Sequence, residues 1–536
     1  MRLVVLPTWL LLAATVFSTH ACPSGSYDVA VVGAGIAGLA TAATLPDSLN
    51  VVLLESSEHI GGRMRTVDLS THGFATSSKS FDGWIEAGAN WINGGLGNND
   101  KNPLLALAQD SHIDTYKMDL FDLVVRSSDG GPHLRFSTVR QKMRAFEKAL
   151  RCLLDFGDVL YQGFPNADQA ALDDSMLNIL RDVCGWEPSD LVDDVLVRYY
   201  FGAEYLLPDE DLSSFNFGED LYFDFGNADN FVKDQDGGNY GTPGMQGLAV
   251  DYYYANGLDA ITHLQTKVTQ IAYGPAGATL SIDGCPDIFA SKVAFSGSVG
   301  VIEAGADTLF NPPIDLSSFP LRMGTWTKVF YQFDATFWDA DGQFVLVGDP
   351  DRHERSKDFC SVWLNYDYAG PGQRTLFPGS HMIARLVEQH VLETFAEKQL
   401  GVADATGFAM DASNSFQTDA LLEPLLRAYD MSSPPSYQAY ATDWGSDENF
   451  RGSWENWQLM DPPLGIVEYF DFWKPRKDTL WLTGSGSCWR YWGFITGGYL
   501  GGIKTAEWIV NSLNEVRDEA GMALEPSSTC DEFGVV

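Results

Sequence analysis

Positive charge is scarce in this chain. Its 536 residues carry 34 Lys and Arg against 72 Asp and Glu, a formal net charge of −38. That deficit excludes nucleic acid as a partner, because phosphates are bound by Lys and Arg that displace counterions. The negative field suits a cationic small molecule, which it concentrates, and an acidic solvated surface accounts for the same charge equally well. Cysteine is sparse too, with seven, at 22, 152, 184, 285, 360, 488 and 530. The hydrophobic core, not a disulfide scaffold, must therefore hold the fold. An odd count leaves at least one thiol unpaired or intermolecular, and Cys152 with Cys184 is one plausible bridge because both fall in one helical region, though the sequence does not fix the pairing. There is no CxxC and no His/Cys cluster with zinc spacing, so no metal site is expected. No N-x-S/T sequon occurs, so N-linked glycans are not expected. Long apolar runs are absent after the first, at 3–17, which precedes Thr19-His20-Ala21. That pattern predicts a signal peptide over 1–21, no membrane span after its cleavage, and a secreted, extracellular product. A retained signal anchor is the alternative.

What is present points to a globular enzyme-sized chain. Hydrophobic residues make up 45% and charged residues 20%, the balance of a folded protein. The length exceeds what one compact core supports, so two domains are expected.

The most informative stretch is VAVVGAGIAGLATAATLPDSLNVVLLE, residues 29–55. A strand at 29–32 runs into Gly33-Ala34-Gly35-Ile36-Ala37-Gly38, then a small-residue helix over 39–45, then a strand at 51–54. Gly33 makes the tight turn, Gly35 admits a pyrophosphate, and Gly38 lets the helix pack close to the strand. The helix N-terminus then faces phosphate with unpaired N–H groups and a favourable dipole. Glu55 lies 22 residues after Gly33, where an acid accepts hydrogen bonds from an adenosine ribose. Strand, glycines, helix, strand and acid in register make a strong dinucleotide signal.

Further on, Gly61-Gly62-Arg63 pairs close backbone approach with a guanidinium suited to a diphosphate. Met143, Phe146, Leu150 and Leu153 recur at helical spacing, and Ser175 and Ser189 read as N-caps of two further helices. Residues 208–244 read as loops. Strands are expected at 268–273, 279–282, 292–295, 326–333, 344–347 and 361–364. A helix is expected over about 382–398 with Ser380 near its start, and another from 497 through Trp508 and Leu513. Nucleotide-type signals at both ends, with β signals between, predict two interleaved domains.

Together GAGIAGL with Glu55, HIGGRMRT, EAGANWING, TWTKVFYQF, DENFRGSWENW and LTGSGSCWRYWGFITGGYLGGIKTAEWI resemble the FAD-dependent amine oxidases, most closely the polyamine oxidases. The likeness spans about residues 27–515. It implies an α/β fold, with a Rossmann-like FAD-binding domain (27–95, 229–302 and 475–515) interleaved with an α+β substrate-binding domain (96–228 and 303–474) of mixed sheet plus helices, and a tail at 516–536. By position, Gly33, Gly35, Gly38, Glu55 and Arg63 would hold the ADP half of FAD, with Ile36, Ala37, Gly62 and Val268 among the cofactor contacts. Gly88, Ala89, Asn90 and Trp91 would pass beside the isoalloxazine ring. Gly484, Ser485 and Thr496 would complete the cofactor site from the tail. Lys328 falls where the family keeps a lysine bridged by water to flavin N5, and Trp454 and Tyr491 where two aromatics flank the substrate amine.

The chemistry explains these residue types. An ammonium has no lone pair, so the amine must lose a proton before its α-carbon gives up a hydride. An aromatic slot disfavours the charged form. A desolvated lysine can be neutral and hold a water. The expected partners are a cationic amine and O2.

Three departures stand out. Gly484-Ser485 replaces the usual Gly-Glu after the tail strand. Asn93 stands where polyamine oxidases put an acid or histidine to greet the substrate. Trp326 precedes the lysine where tyrosine would carry a hydroxyl. Glu204 is a candidate for the missing substrate carboxylate. Three other readings therefore stay open. An L-amino-acid oxidase would need an arginine clamp, which no motif singles out. A flavin-dependent desaturase or isomerase of an uncharged lipid fits the departures. A flavin-binding protein without turnover would not need Lys328.

Overall fold

The computed structural model describes residues 22–530, apart from 77–80, 96–101, 120–121, 131–133, 135, 163–171, 203–204, 207–210, 218–228, 349–359, 371–374, 389–414, 462–463, 519–520 and 527–529. The fold is α/β, as expected. Its first layer is an eight-stranded mixed sheet organised by one long strand, Cys285–Phe295. That strand pairs in parallel with Ser26–Val32 on one edge and with Leu480–Leu482 on the other, so Phe295 sits level with both Val32 and Leu482. Its first half pairs antiparallel with Gly277–Ile282. Val51–Leu54 and then Thr262–His263 extend the parallel side. Val268–Gly274 extends the hairpin side, and Phe310–Asn311 closes that edge, beyond the domain boundary expected at 302.

Parallel neighbours need a crossover, and the helix Ile36–Thr44 provides it between Ser26–Val32 and Val51–Leu54. Its Ile-Ala-Gly-Leu-Ala-Thr-Ala-Ala sequence is slim, so a second helix, Ile495–Leu513, packs directly on it. Thr41 Oγ1 donates to Ala37 O at 2.8 Å or to Gly502 O at 3.0 Å, and a Cβ at Gly502 would lie 2.2 Å from Ala37 O.

The second layer is a six-stranded sheet in the order Tyr437–Ala441, Trp326–Phe333, Met382–Glu388, Ser361–Asn365, Phe344–Gly348, Leu123–Ser127. Trp326–Phe333 lies between two strands and is buried at all eight positions. Strand alternation splits its side chains. Val329, Tyr331 and Phe333 face a core shared with Leu421, Leu422 and Leu425 of the helix Ser415–Ala428. Trp326 and Phe330 face the opposite core.

Two expectations change. The helix predicted from 382 is the strand Met382–Glu388 as far as the described residues go, and 389–398 lie outside them. Buried on both faces, this strand loses the polar–apolar alternation that marks a strand, so an apolar run containing Arg385 reads as a helix. The stretch read as loops at 208–244 contains a fully buried strand, Asp229–Val232, that joins Trp91–Asn93 and Thr115–Lys117. Its two Asp/Asn residues hide it from a propensity reading.

The helical reading holds elsewhere. Met143, Phe146 and Leu153 are buried on the helix Phe136–Gln162. Ser175 caps Met176–Asp182, accepting from Asn178 N at 3.3 Å. The next helix, Leu191–Val197, is capped by Asp190, one residue after the predicted Ser189, whose hydroxyl instead donates to Asp193 at 2.7 Å.

Three disulfides staple this frame, Cys22–Cys285, Cys152–Cys184 and Cys488–Cys530, and Cys360 takes part in none of them. Proteolysis without reductant is expected to release these three linked peptide pairs in mass spectra. Any other pairing would contradict this arrangement.

Candidate active site

A single cavity of about 810 Å³ runs between the two sheets, from the glycine turn to the Lys328 strand. At one end, Gly33 adopts a φ of +101°, and a Cβ at Gly38 would lie 1.9 Å from Gly33 O, so helix and turn require both glycines. Gly35 is different. A Cβ there would meet no protein atom closer than Gly62 Cα at 4.0 Å, so packing alone does not explain its glycine. The open space in front of it is the cavity. Ile36 and Ala37 line the same wall, and Gly62, Arg63 and Val268 face it.

Glu55, at the end of Val51–Leu54, is buried and clamps the turn. Its Oε2 accepts from Ala34 N at 2.7 Å and its Oε1 from Ser57 N at 2.8 Å. The helices Ile36–Thr44 and Ile495–Leu513 both start at this cavity without a side-chain cap. Their first N–H groups are left for a bound anion or water. Arg63 Nη1 donates to Ser453 O at 2.6 Å and its Nη2 to Ser485 Oγ at 3.4 Å, which fixes the guanidinium along the wall. This end fits an anionic dinucleotide: open glycine, uncapped helix ends, an acid and a guanidinium share one groove.

Toward the other end, Gly88, Ala89, Asn90 and Trp91 form a rigid ledge. Ala87 N and Gly88 N donate to Arg65 O at 2.9 and 3.1 Å, and Trp444 Nε1 donates to Ala87 O at 3.0 Å. Lys328 sits against this ledge, 3% exposed. Its Nζ donates to Glu86 O at 3.1 Å, to Asn90 Oδ1 at 2.6 Å and to Gly88 O. Burial pulls the Lys328 ammonium down to about 7, against the pull of the Glu86 carboxylate. Burial pushes Glu86 up to about 8, although Met245 N and Thr66 Oγ1 donate to it at 2.9 and 3.0 Å. Desolvation outweighs attraction for both groups, so near neutral pH the site favours an uncharged amine beside an uncharged acid.

The walls beyond are aromatic. Trp454 meets Trp326 edge-on with ring centroids 5.1 Å apart, and Trp326 lies 6.4 Å from Trp91. Such contacts contribute about 0.5–1.5 kcal/mol each beyond burial and keep the slot rigid. Tyr199, Tyr200 and Phe344 extend it.

The remaining predicted residues divide between the cavity wall and the packing behind it. Gly484 and Ser485 line it. Thr496 does not; it is fully buried and holds Asn102 Nδ2 at 3.0 Å, buttressing the helix start from behind. Tyr491 is corrected. It is 2% exposed and packs with Cys488 and Cys530, while Trp492 and Phe494 face the cavity. The 3-10 turn Trp489–Tyr491 rotates its ring away, and no periodic pattern in the tail signals that turn. Glu204 lies outside the described residues. Asn93 lines the cavity and donates from Nδ2 to Asp229 Oδ1 at 2.7 Å. Asp229 is a cavity residue that sequence reasoning missed, as is Glu455. Both carboxylates are buried, at 4% and 2% exposure.

The flavin containing amine oxidoreductase family matches residues 36–510. The chain belongs to that family. Among similar proteins, polyamine oxidase 6 of Oryza sativa subsp. japonica is 25% identical, over 91% of this chain and 91% of that protein. Polyamine oxidase 1 of Zea mays is 24% identical, over 90% of each. The solved structure of putrescine oxidase bound to putrescine superposes with a TM-score of 0.63 at 19% identity, over 91% of this chain and all of that one. Cyclohexylamine oxidase from Brevibacterium oxydans IH-35A gives 0.62 at 17% identity, over 91% and 99%. Both structures share the fold. The enzyme is thus an FAD-dependent amine oxidase: the family supplies the flavin, and the dinucleotide groove fits its adenine form.

Gly35→Val separates folding from cofactor binding. With no protein atom nearer than 4.0 Å to the new Cβ, the variant should fold with a melting temperature near that of wild-type apoprotein. It should nevertheless purify colourless. A fully flavin-loaded Gly35→Val protein would remove this groove from cofactor binding.

Proposed function

We propose that the enzyme is a secreted oxidase of polyamines or closely related amines. With FAD bound, the overall conversion is amine plus O2 plus water to aldehyde, shortened amine and H2O2, the flavin taking the hydride from the carbon beside nitrogen. The chain's residues supply the rest. Glu55, Arg63 and the two helix N-termini would hold the cofactor's ADP half, and the Gly88–Trp91 ledge would lie beside its ring. Trp326, Trp454 and Phe494 wall a slot that attracts the ammonium at its mouth and strips water from it inside, so the amine deprotonates before reacting. Lys328 holds a water at the ledge and moves a proton through it. Its ammonium form has three donors, all matched by Glu86 O, Gly88 O and Asn90 Oδ1. The neutral amine keeps a lone pair for that water.

A single observation carries the substrate class: a buried carboxylate, Asp229, shares the cavity with Lys328 and is steered by Asn93. A second cationic nitrogen on the substrate would neutralise it. The formal charge of −38 draws polycations toward the mouth. Relatives are named polyamine oxidases, and the fold is shared with a putrescine-bound oxidase. An amino-acid substrate would need a guanidinium for its carboxylate. Among the described cavity residues the arginines are Arg63, tied to Ser453, and Arg451, which is exposed. Export is supported by three disulfides, which persist in oxidising compartments, one of them starting at Cys22, directly after the expected cleavage site.

Anaerobic spermidine or putrescine should bleach the flavin, and oxygen should restore it with one H2O2 per turnover. Bleaching by L-amino acids alone would overturn the assignment. The rate of bleaching should fall as pH drops through about 7, where Lys328 gains its proton. Lys328→Met should stay yellow, lose that pH dependence and react at least tenfold slower, about 1.4 kcal/mol of barrier. An unchanged rate would remove Lys328 from the mechanism.

Asp229→Asn tests the second cation site. Its KM for a polyamine, relative to that for a monoamine of equal length, should rise about tenfold, the loss of one charge-assisted hydrogen bond. An unchanged ratio would dissociate Asp229 from substrate recognition.

A further inference from the structure

The tail strand Leu480–Leu482 delivers Gly484 and Ser485 to the cavity wall, where an acid was expected and a serine stands. The structure nevertheless puts a carboxylate there. Glu455, from the strand Trp454–Trp457, is buried and lines the same wall. Its Oε1 accepts from the Ser485 hydroxyl, and its Oε2 lies 3.4 Å from Arg63 Nη1. Arg63 Nη2 in turn reaches Ser485 Oγ at 3.4 Å. The three side chains close a ring of hydrogen bonds that opens on the cofactor groove.

A buried carboxylate is costly unless it is paired, and this one has both a cation and a hydroxyl donor. A core role alone would leave the pair hidden behind the wall, whereas all three residues are on it. We infer that Glu455 and Ser485 form a split acid: together they take over the cofactor-binding task of a single carboxylate at 485, and Glu455 positions Arg63 for the diphosphate. The chemistry follows from donor counts. Ser485 spends its one proton on Glu455, which leaves an oxygen lone pair facing the cavity. An acceptor backed by a carboxylate is polarised and binds a cofactor hydroxyl more strongly. Arg63 Nη1 is held by Ser453 O at 2.6 Å and Glu455 Oε2 at 3.4 Å, and its Nη2 by Ser485 Oγ at 3.4 Å, which would leave its Nε–H and one Nη2–H for the diphosphate. The negative charge thus reaches the groove through serine, one residue removed from its source.

This inference rests on the FAD assignment, and the test keeps the two apart. Apoprotein of the wild type, Glu455→Gln, Ser485→Glu and the double swap Glu455→Ser/Ser485→Glu is titrated with FAD, and each holoprotein's flavin reduction potential is measured. Wild type that takes up no FAD would sink the assignment itself. With wild type binding, Glu455→Gln should weaken FAD affinity at least tenfold and shift the potential, with the apoprotein melting temperature nearly unchanged. Ser485→Glu alone sets two carboxylates side by side and should bind still more weakly. The double swap should restore affinity to within about threefold of wild type and return the potential toward it. Glu455→Gln binding FAD like wild type, at an unchanged potential, would overturn the inference. So would a double swap no better than either single variant while its apoprotein melts like wild type.

Discussion

The close approach of two helices underlies everything else in this molecule. Ile36–Thr44 and Ile495–Leu513 touch through backbone and small side chains, with Thr41 within reach of Gly502 O at 3.0 Å. A Cβ at Gly498 would lie 3.1 Å from Ile36 Cγ2, so the two N-termini converge on one point. Two uncapped helix ends carry additive partial positive charge. The chain's first and last hundred residues are thereby joined around one groove, and the long strand Cys285–Phe295 locks them in register.

From that groove the chemistry changes character over a short distance. One end is polar and suited to phosphate. The other is walled by indole and phenol rings and contains an amine hydrogen-bonded to three carbonyl oxygens. The same burial that lowers the Lys328 pKa would lower that of a substrate ammonium, so protein and substrate nitrogen are driven toward the neutral form together. Glu86 follows in the opposite sense, which removes the charge that would otherwise hold Lys328 protonated. The pair thus poises the site near neutrality without any exposed titrating group.

Two of the three places where the chain departs from its family, Asn93 and Ser485, share one solution. Asn93 has no charge but holds Asp229, and Ser485 has no charge but holds Glu455. In each case a neutral residue on the expected segment is hydrogen-bonded to a carboxylate from a neighbouring strand, Asp229–Val232 or Trp454–Trp457. Electrostatics at a site depends on where charge sits in space, not on which segment carries it, so the field survives the exchange.

Local rules made the dinucleotide turn, Glu55, the hairpin at 268–282 and the buried Lys328 strand legible in the residues alone. Each is read within a few positions: a turn that needs glycine, a hairpin that alternates, and a run rich in aromatic and β-branched residues at 326–333. The strand Met382–Glu388 was not legible, because a strand covered on both faces has no alternation to read. Nor was the ring at position 494 in place of 491, because a short 3-10 turn rotates side chains without altering composition. Above all, the pairing of Asp229 with Asn93 and of Glu455 with Ser485 spans 136 and 30 residues and leaves no periodic trace. The sequence by itself therefore determined the dinucleotide turn and the strand that carries Lys328. Only the tertiary structure decided which carboxylates complete the site, because burial against a partner, not neighbours in the chain, makes a charge functional.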